Sequence, residues 1–220
     1  MSMRQTVRWT ALAGALLFGI VACGSNPPPD VEPATDEALP AESPGPDPAE
    51  LAEAAARSIC EQAATAARQG DYERARRLYD EAISEYAGTD CARGAGAQIA
   101  RIDAIETIQE RIHFAFDRAE LSNEAVAVLD RKVDVLRSHP NVQLTIEGNC
   151  DERGSIEYNF ALGLRRAMAS KNYLVGLGIA EDRLRTVSFG KERPLDPGHN
   201  ETAWALNRRD DFIIPNPNAL

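Results

Sequence analysis

A chain of 220 residues, 44% of them apolar, is long enough for one ordinary domain with extras or for two small ones, and apolar enough for a packed core. With 24 Lys and Arg against 34 Asp and Glu the net charge is −10, which argues against nucleic acid, because phosphate binding asks for a basic surface. Four cysteines are too few for a disulfide scaffold and none stands in a CxxC pair, while the three histidines lie far apart. Neither a metal nor another cofactor is expected.

The N-terminus carries Arg4 and Arg8 and then an uncharged run of 13 residues, Thr10 to Ala22. A membrane span needs about 20 apolar residues, so the run reads as the h-region of a leader, residues 1–22. It ends in Ile20-Val21-Ala22-Cys23, which resembles a bacterial lipobox and makes Cys23 the expected lipidation site. Gly24, and not Asp, follows the cysteine, which resembles an outer-membrane address. Residues 23–48 then form a spacer. From Gly24 to Pro48 there are eight prolines, six acidic residues and no basic one, a composition that extends a chain, leaves it disordered and builds no core.

Residues 49–109 read as helical. Glu50 to Arg68 is Ala-rich, and after Gln69-Gly70-Asp71 the positions Ala75, Leu78, Tyr79, Ala82, Ile83 and Tyr86 fall on one helical face. A third helix is expected from about Cys91 to Ile108. The stretch GDYERARRLYDEAISEY resembles the second helix of a tetratricopeptide repeat, with Ala75, Tyr79 and Ala82 at its small, aromatic and small positions. Only one repeat is visible, so the segment reads as a TPR-like helical hairpin that packs on the main domain or docks a partner. Cys60 and Cys91, 31 residues apart, flank it. A bridge between them would staple its first and third helices, and two buried thiols are the alternative.

Residues 110–214 alternate strand and helix patterns, followed by a tail, 215–220. Ile112 to Phe116 alternates as a half-buried strand does. Ser122 can cap a helix lined by Val126, Leu129, Val133 and Leu136 and ended by Pro140. Val142, Leu144 and Ile146 mark a second strand, and Gly148 to Gly154 a loop into a long helix reaching about Leu177. A strand at Arg185 to Phe189, a short helix at Glu201 to Leu206 and a last strand at Phe212 to Ile214 complete an α+β architecture. It is a β-α-β-α-β sandwich, a sheet of about four strands covered by helices.

The segments FAFDRAELS, VQLTIEGNCDERGSIEYNFALGLRRAMASKNYLVGLGI, RLRTVSFGKERP and GHNETAWALNRR resemble, in this order, the OmpA-like peptidoglycan-binding domain. Within it they are most similar to the family of peptidoglycan-associated lipoproteins of Tol–Pal systems. The helical segment is a departure, since many members carry only a short tether there. The resemblance implies a non-catalytic lipoprotein on the periplasmic face of the outer membrane. It implies binding of peptidoglycan through meso-diaminopimelate, a TolB-like periplasmic protein as alternative partner, and a role in envelope integrity and cell division.

The resemblance also implies a site. The residue at the position of Asp151 accepts the ligand's ammonium and that at Arg166 grips its carboxylate. Asp117, next to Phe116, contributes backbone. Arg153 and Leu162 line the pocket, and Asn159 shares the helix face of Leu162 and Arg166. The plainer alternative is an Asp151–Arg166 ion pair that pins the loop to the helix. Arg208 and Arg209 either buttress the sheet end or touch ligand, Glu152 and Glu157 read as solvated charges, and Cys150 as a packing residue with no basic neighbour placed to lower its pKa. For the whole protein the rival is a protein-docking module with little wall binding. A wall hydrolase would need diagnostic paired carboxylates or a zinc set.

Overall fold

Short polar side chains close the first turn of every α-helix in the computed structural model, which describes residues 45–220. The leader, Cys23 and most of the proline-rich spacer lie outside the described residues. Helices α1 (Pro48–Arg68), α2 (Tyr72–Glu85) and α3 (Asp90–Gln109) start at Asp47, Asp71 and Thr89, whose side-chain oxygens accept first-turn N–H groups. Their shared core is built from small residues, Ala63, Ala66, Ala75 and Ala95, with Tyr79 and Ile102 filling the rest. Small side chains let the helix axes approach closely. Cys60 of α1 and Cys91 of α3 are joined by a disulfide, with Cα atoms 6.0 Å apart.

Helix α3 belongs to two cores. Ala95 and Ile102 serve the three-helix cluster, while Ile105 and Ile108 pack with the sheet residues Ile112, Leu144, Ile146 and Phe212. Its C-terminal end is held by a fully buried lysine. Lys132 donates to the carbonyl oxygens of Thr107, Ile108 and Glu110 at 2.8, 2.9 and 2.6 Å, three acceptors at the end where a helix leaves its carbonyls unpaired. Burial pushes the Lys132 pKa down to about 7, with Glu110 acting against it.

The second unit is the expected α+β one. Strands β1 (Ile112–His113), β2 (Leu144–Asn149), β3 (Leu184–Gly190) and β4 (Arg209–Ile213) form one sheet in the order β1-β4-β2-β3. β4 runs antiparallel to β1 and β2, and β2 parallel to β3. Helices α4 (Asn123–Ser138) and α5 (Ile156–Gly176) cover the face on which Leu144, Ile146, Leu184 and Phe212 are buried. Ser122 caps α4 as its position predicts, its Oγ 3.2 Å from the Ala125 amide. The short α6 (Glu201–Asn207) leads into β4.

The first strand is shorter than the alternation predicts, ending at His113 in place of Phe116. The Phe114 amide still bonds the Arg208 carbonyl, at 2.9 Å, but the chain then turns away. Asp117 adopts a left-handed φ of 54°, and the Ala115 carbonyl is taken by Arg166 at 3.2 Å. One glycine contact sets the depth of α5 on the sheet. A Cβ added to Gly148 of β2 would lie 1.9 Å from the carbonyl oxygen of Gly163, so the helix backbone rests directly on the strand. That close seat brings the Arg166 side chain to the end of β2.

Candidate functional site

The site forms where the loop after β2 (residues 150–155) meets the β1–α4 loop and the first three turns of α5. The β2 loop is drawn tight by its own side chains. The Asp151 carboxylate accepts the Arg153 amide at 3.1 Å, and Asn159 Nδ2 donates to the carbonyls of Arg153 and Ser155 at 2.8 and 3.0 Å. Gly154 supplies the left-handed turn, at φ 94°, and Ser155 caps α5, its Oγ accepting from Tyr158 N–H at 3.1 Å.

All seven residues expected at the site, Phe116, Asp117, Asp151, Arg153, Asn159, Leu162 and Arg166, line one pocket of about 160 Å³, together with Cys150, Gly154 and Tyr158. Their pairing overturns the expected alternative of an Asp151–Arg166 ion pair. Asp151 is not paired with Arg166. Its carboxylate accepts from Arg153, Nη2 at 2.6 Å, and from Arg208, Nη1 at 3.3 Å. Burial pushes the Asp151 carboxyl up, but the hydrogen bonds from Arg153 and Arg208 outweigh it and hold the pKa below the usual carboxylate range. The Arg153 guanidinium itself lies between two rings, 4.0 Å from the Phe116 centroid and 4.2 Å from that of Trp204.

Arg166 turns to the backbone. It is 0% exposed and donates from Nε to the Arg118 carbonyl at 2.8 Å, from Nη1 to the Asn149 carbonyl at 2.8 Å and to Cys150 Sγ at 3.4 Å, and from Nη2 to the Ala115 carbonyl at 3.2 Å. A guanidinium has five N–H groups, so these contacts leave one, on Nη2, for anything that enters the pocket. Two segments of chain, residues 115–118 and 149–150, are thus pinned to α5 by one side chain. Burial lowers its pKa.

Other readings change with the geometry. Cys150 does have a basic neighbour, Arg166, yet burial prevails and pushes the thiol up to about 11; it is a protonated donor to the Asn159 carbonyl at 3.3 Å. Glu152 is more than a solvated charge, for it accepts from Trp204 Nε1 at 2.8 Å and His199 Nδ1 at 2.7 Å. Arg208 braces the site, joining Asp151, the Phe114 carbonyl and Glu201. Arg209 buttresses β4 through Asp211 and the Asn207 and Arg193 carbonyls. Sequence reasoning missed Trp204 and Tyr158, whose hydroxyl donates to Asp117 Oδ1. Neither carries a local signal, since Trp204 lies 51 residues from Arg153 and meets it only through the fold.

The pocket therefore offers a desolvated carboxylate, one guanidinium N–H and aromatic walls. That set suits a small zwitterionic group. Among the described residues no group of three His, Cys, Asp or Glu could hold a metal ion.

Known proteins resemble this chain over the same region. The model of the OmpA family matches residues 113–208. A peptidoglycan-associated lipoprotein of Rhizobium meliloti is 40% identical over 131 residues, 60% of this chain and 74% of the relative. One from Haemophilus influenzae is 42% identical over 123 residues, 54% of this chain and 80% of that protein. Among solved structures, the crystal structure of the peptidoglycan-associated lipoprotein from Burkholderia pseudomallei is 42% identical, covers 47% of this chain and 87% of its own, and superposes with a TM-score of 0.46.

Proposed function

The chain belongs to the family of peptidoglycan-associated lipoproteins, and from that premise we propose that it is a non-catalytic lipoprotein that anchors the outer membrane to the cell wall. One end is the lipid on Cys23, after removal of residues 1–22. The other is the pocket of the 110–214 domain, which takes the zwitterionic end of meso-diaminopimelate in the peptidoglycan stem. Residues 23–109, the proline-rich stretch followed by the three-helix segment, connect them. The observation that carries the reading is the convergence of Asp151, Arg153, Asn159, Leu162 and Arg166 with Phe116 and Asp117 on one small pocket. A volume of about 160 Å³ suits the tip of one side chain and excludes a whole glycan.

In this reading the ligand's ammonium goes to Asp151 and its carboxylate meets the remaining N–H of Arg166. Leu162 and Phe116 bracket the aliphatic stem. Individual affinity can be modest, because many tethered copies face a polymeric wall at high effective concentration. The pocket rim is aromatic and open: Phe116 and Tyr158, both in its lining, are 56% and 46% exposed. That rim supports a second ligand for the same domain, a TolB-like periplasmic protein of a Tol–Pal system, which would compete with the wall.

Co-sedimentation of the full-length protein in detergent with purified sacculi tests the anchor. Wild type should pellet, free meso-diaminopimelate should release it, and Asp151→Asn should stay in the supernatant while keeping its circular dichroism spectrum. A folded wild type that does not pellet sinks the anchor reading and favours a docking lipoprotein.

A further inference from the structure

The three-helix segment precedes the residues that the family model matches, and it carries a second cleft, of about 390 Å³, where α1, α2 and α3 meet the C-terminal tail. The floor is aliphatic, formed by Ala64, Ala67, Ile102 and Ile105. Above it stand the guanidinium groups of Arg68 and Arg101 and the rings of Tyr72 and Tyr79. Among the described residues no carboxylate lines the cleft, although the chain as a whole carries a net charge of −10. Both arginines act electrostatically on the Tyr79 hydroxyl, opposing the burial that raises its pKa. Both side chains line the one cleft. A peptide carbonyl is already held there, since Arg101 Nη2 donates to the Pro217 oxygen of the chain's own tail at 2.9 Å.

We propose that this cleft is a docking site for an acidic peptide segment of a partner protein. One carboxylate lies between Arg68 and Arg101, and an adjoining aliphatic side chain rests on the alanine and isoleucine floor. Charge complementarity selects the occupant. Two guanidinium forks over apolar ground match a carboxylate beside a hydrocarbon, the pairing that arginine makes best. They are too few for a phosphate polymer or a lipid surface, both of which need a broad basic face. The site is separate from the pocket around Asp151 in every residue that lines it.

The test is fluorescence anisotropy of full-length protein in detergent, titrated against a fluorescein-labelled hexapeptide of alternating glutamate and leucine. Its counterpart with glutamine for every glutamate is the control. Arg68 is exposed and bonds Thr65 Oγ1 of its own helix at 2.9 Å, so Arg68→Gln leaves the packing intact. The glutamate peptide should bind, and both the glutamine peptide and Arg68→Gln should weaken binding by about tenfold or more, the loss expected for a charge-assisted pair. Asp151→Asn should bind the peptide as wild type does. No anisotropy change up to about 1 mM peptide, equal binding of the glutamine peptide, or an Arg68→Gln protein that binds normally would each overturn the proposal.

Discussion

Replacing Arg166 by methionine should unfold the site before it tests the ligand. The guanidinium supplies donors to the carbonyls of Arg118, Asn149 and Ala115 in a fully buried place. Methionine fills much of the volume and supplies none. The Ala115 carbonyl keeps the Arg118 amide at 3.3 Å; a buried acceptor left without its donor costs about 1–3 kcal/mol, so the other two give a loss on the order of 2–6 kcal/mol, centred on about 4 kcal/mol. Against the ~5–15 kcal/mol that holds an ordinary domain together, that is a large share. With a urea m-value of about 2 kcal/mol per molar, the midpoint should fall by about 2 M, followed by far-ultraviolet circular dichroism. Arg166→Lys separates folding from binding. An ammonium has three N–H groups, enough for the three carbonyls and none for a ligand, so this variant should retain more stability yet lose sacculus binding. An Arg166→Met protein whose midpoint stays within about 0.3 M of wild type would refute the reasoning.

Four other outcomes follow from particular contacts. Lys132→Met removes the donor that three carbonyls at the end of α3 share and should cost about 3 kcal/mol in urea unfolding; a loss under about 1 kcal/mol would show that water replaces the amine. Reducing the Cys60–Cys91 bridge, a separation of 31 residues, should destabilise the fold by about 3.5 kcal/mol on chain-entropy grounds, with an unchanged melt under dithiothreitol as the contrary result. Burial pushes the Asp210 carboxyl up to about 7, against the Ser170 hydroxyl and Arg166. The folded state thus holds that proton more tightly than the unfolded one, so this group's contribution is full below about pH 4 and is lost as pH rises toward 7. Asp210→Asn should flatten that slope, and an identical stability profile in the variant speaks against it. Finally, Arg153 occupies Asp151 at 2.6 Å and competes with an incoming ammonium. Arg153→Gln should therefore raise the affinity for free meso-diaminopimelate several-fold, measured by calorimetry, whereas a loss would make Arg153 a ligand contact.

Local pattern was a good guide wherever local physics decides. The periodic apolar face of residues 75–86 and the Ser122 cap became α2 and the start of α4 because each depends on neighbours within a turn or two. The α5 side of the pocket was legible as well, since Asn159, Leu162 and Arg166 share a helix face whatever lies opposite, while Phe116, Asp117, Asp151 and Arg153 were expected there only through the family resemblance. What the sequence left hidden was the pairing inside it. Asp151 and Arg166, opposite charges on facing elements, invite an ion pair. Yet Arg153 reaches the same carboxylate from two residues away, and Arg208 arrives from the far end of α6, 57 residues on. Arg166 is then free to satisfy carbonyls that the bend after β1 would otherwise bury unpaired. That bend, with Asp117 at φ 54°, also ended the strand early. No window of sequence contains both the bend and the side chain that stabilises it.

The same pairing decides how the proposed anchor would work. In the free protein the Asp151 carboxylate already carries two guanidinium partners, and Arg166 has spent four of its five N–H groups. A zwitterion that enters must exchange partners and cannot simply meet vacant charges. Exchange returns little net free energy, because each new ion contact replaces an existing one in the same low-dielectric place. Arg153, once displaced, still has the Phe116 and Trp204 rings against it, which limits the loss on the protein's side. Such a site holds each stem peptide weakly and releases it quickly. In the proposed anchor, strength would then come from the number of tethered copies and from rebinding, and each copy would stay open to a competing partner at the aromatic rim.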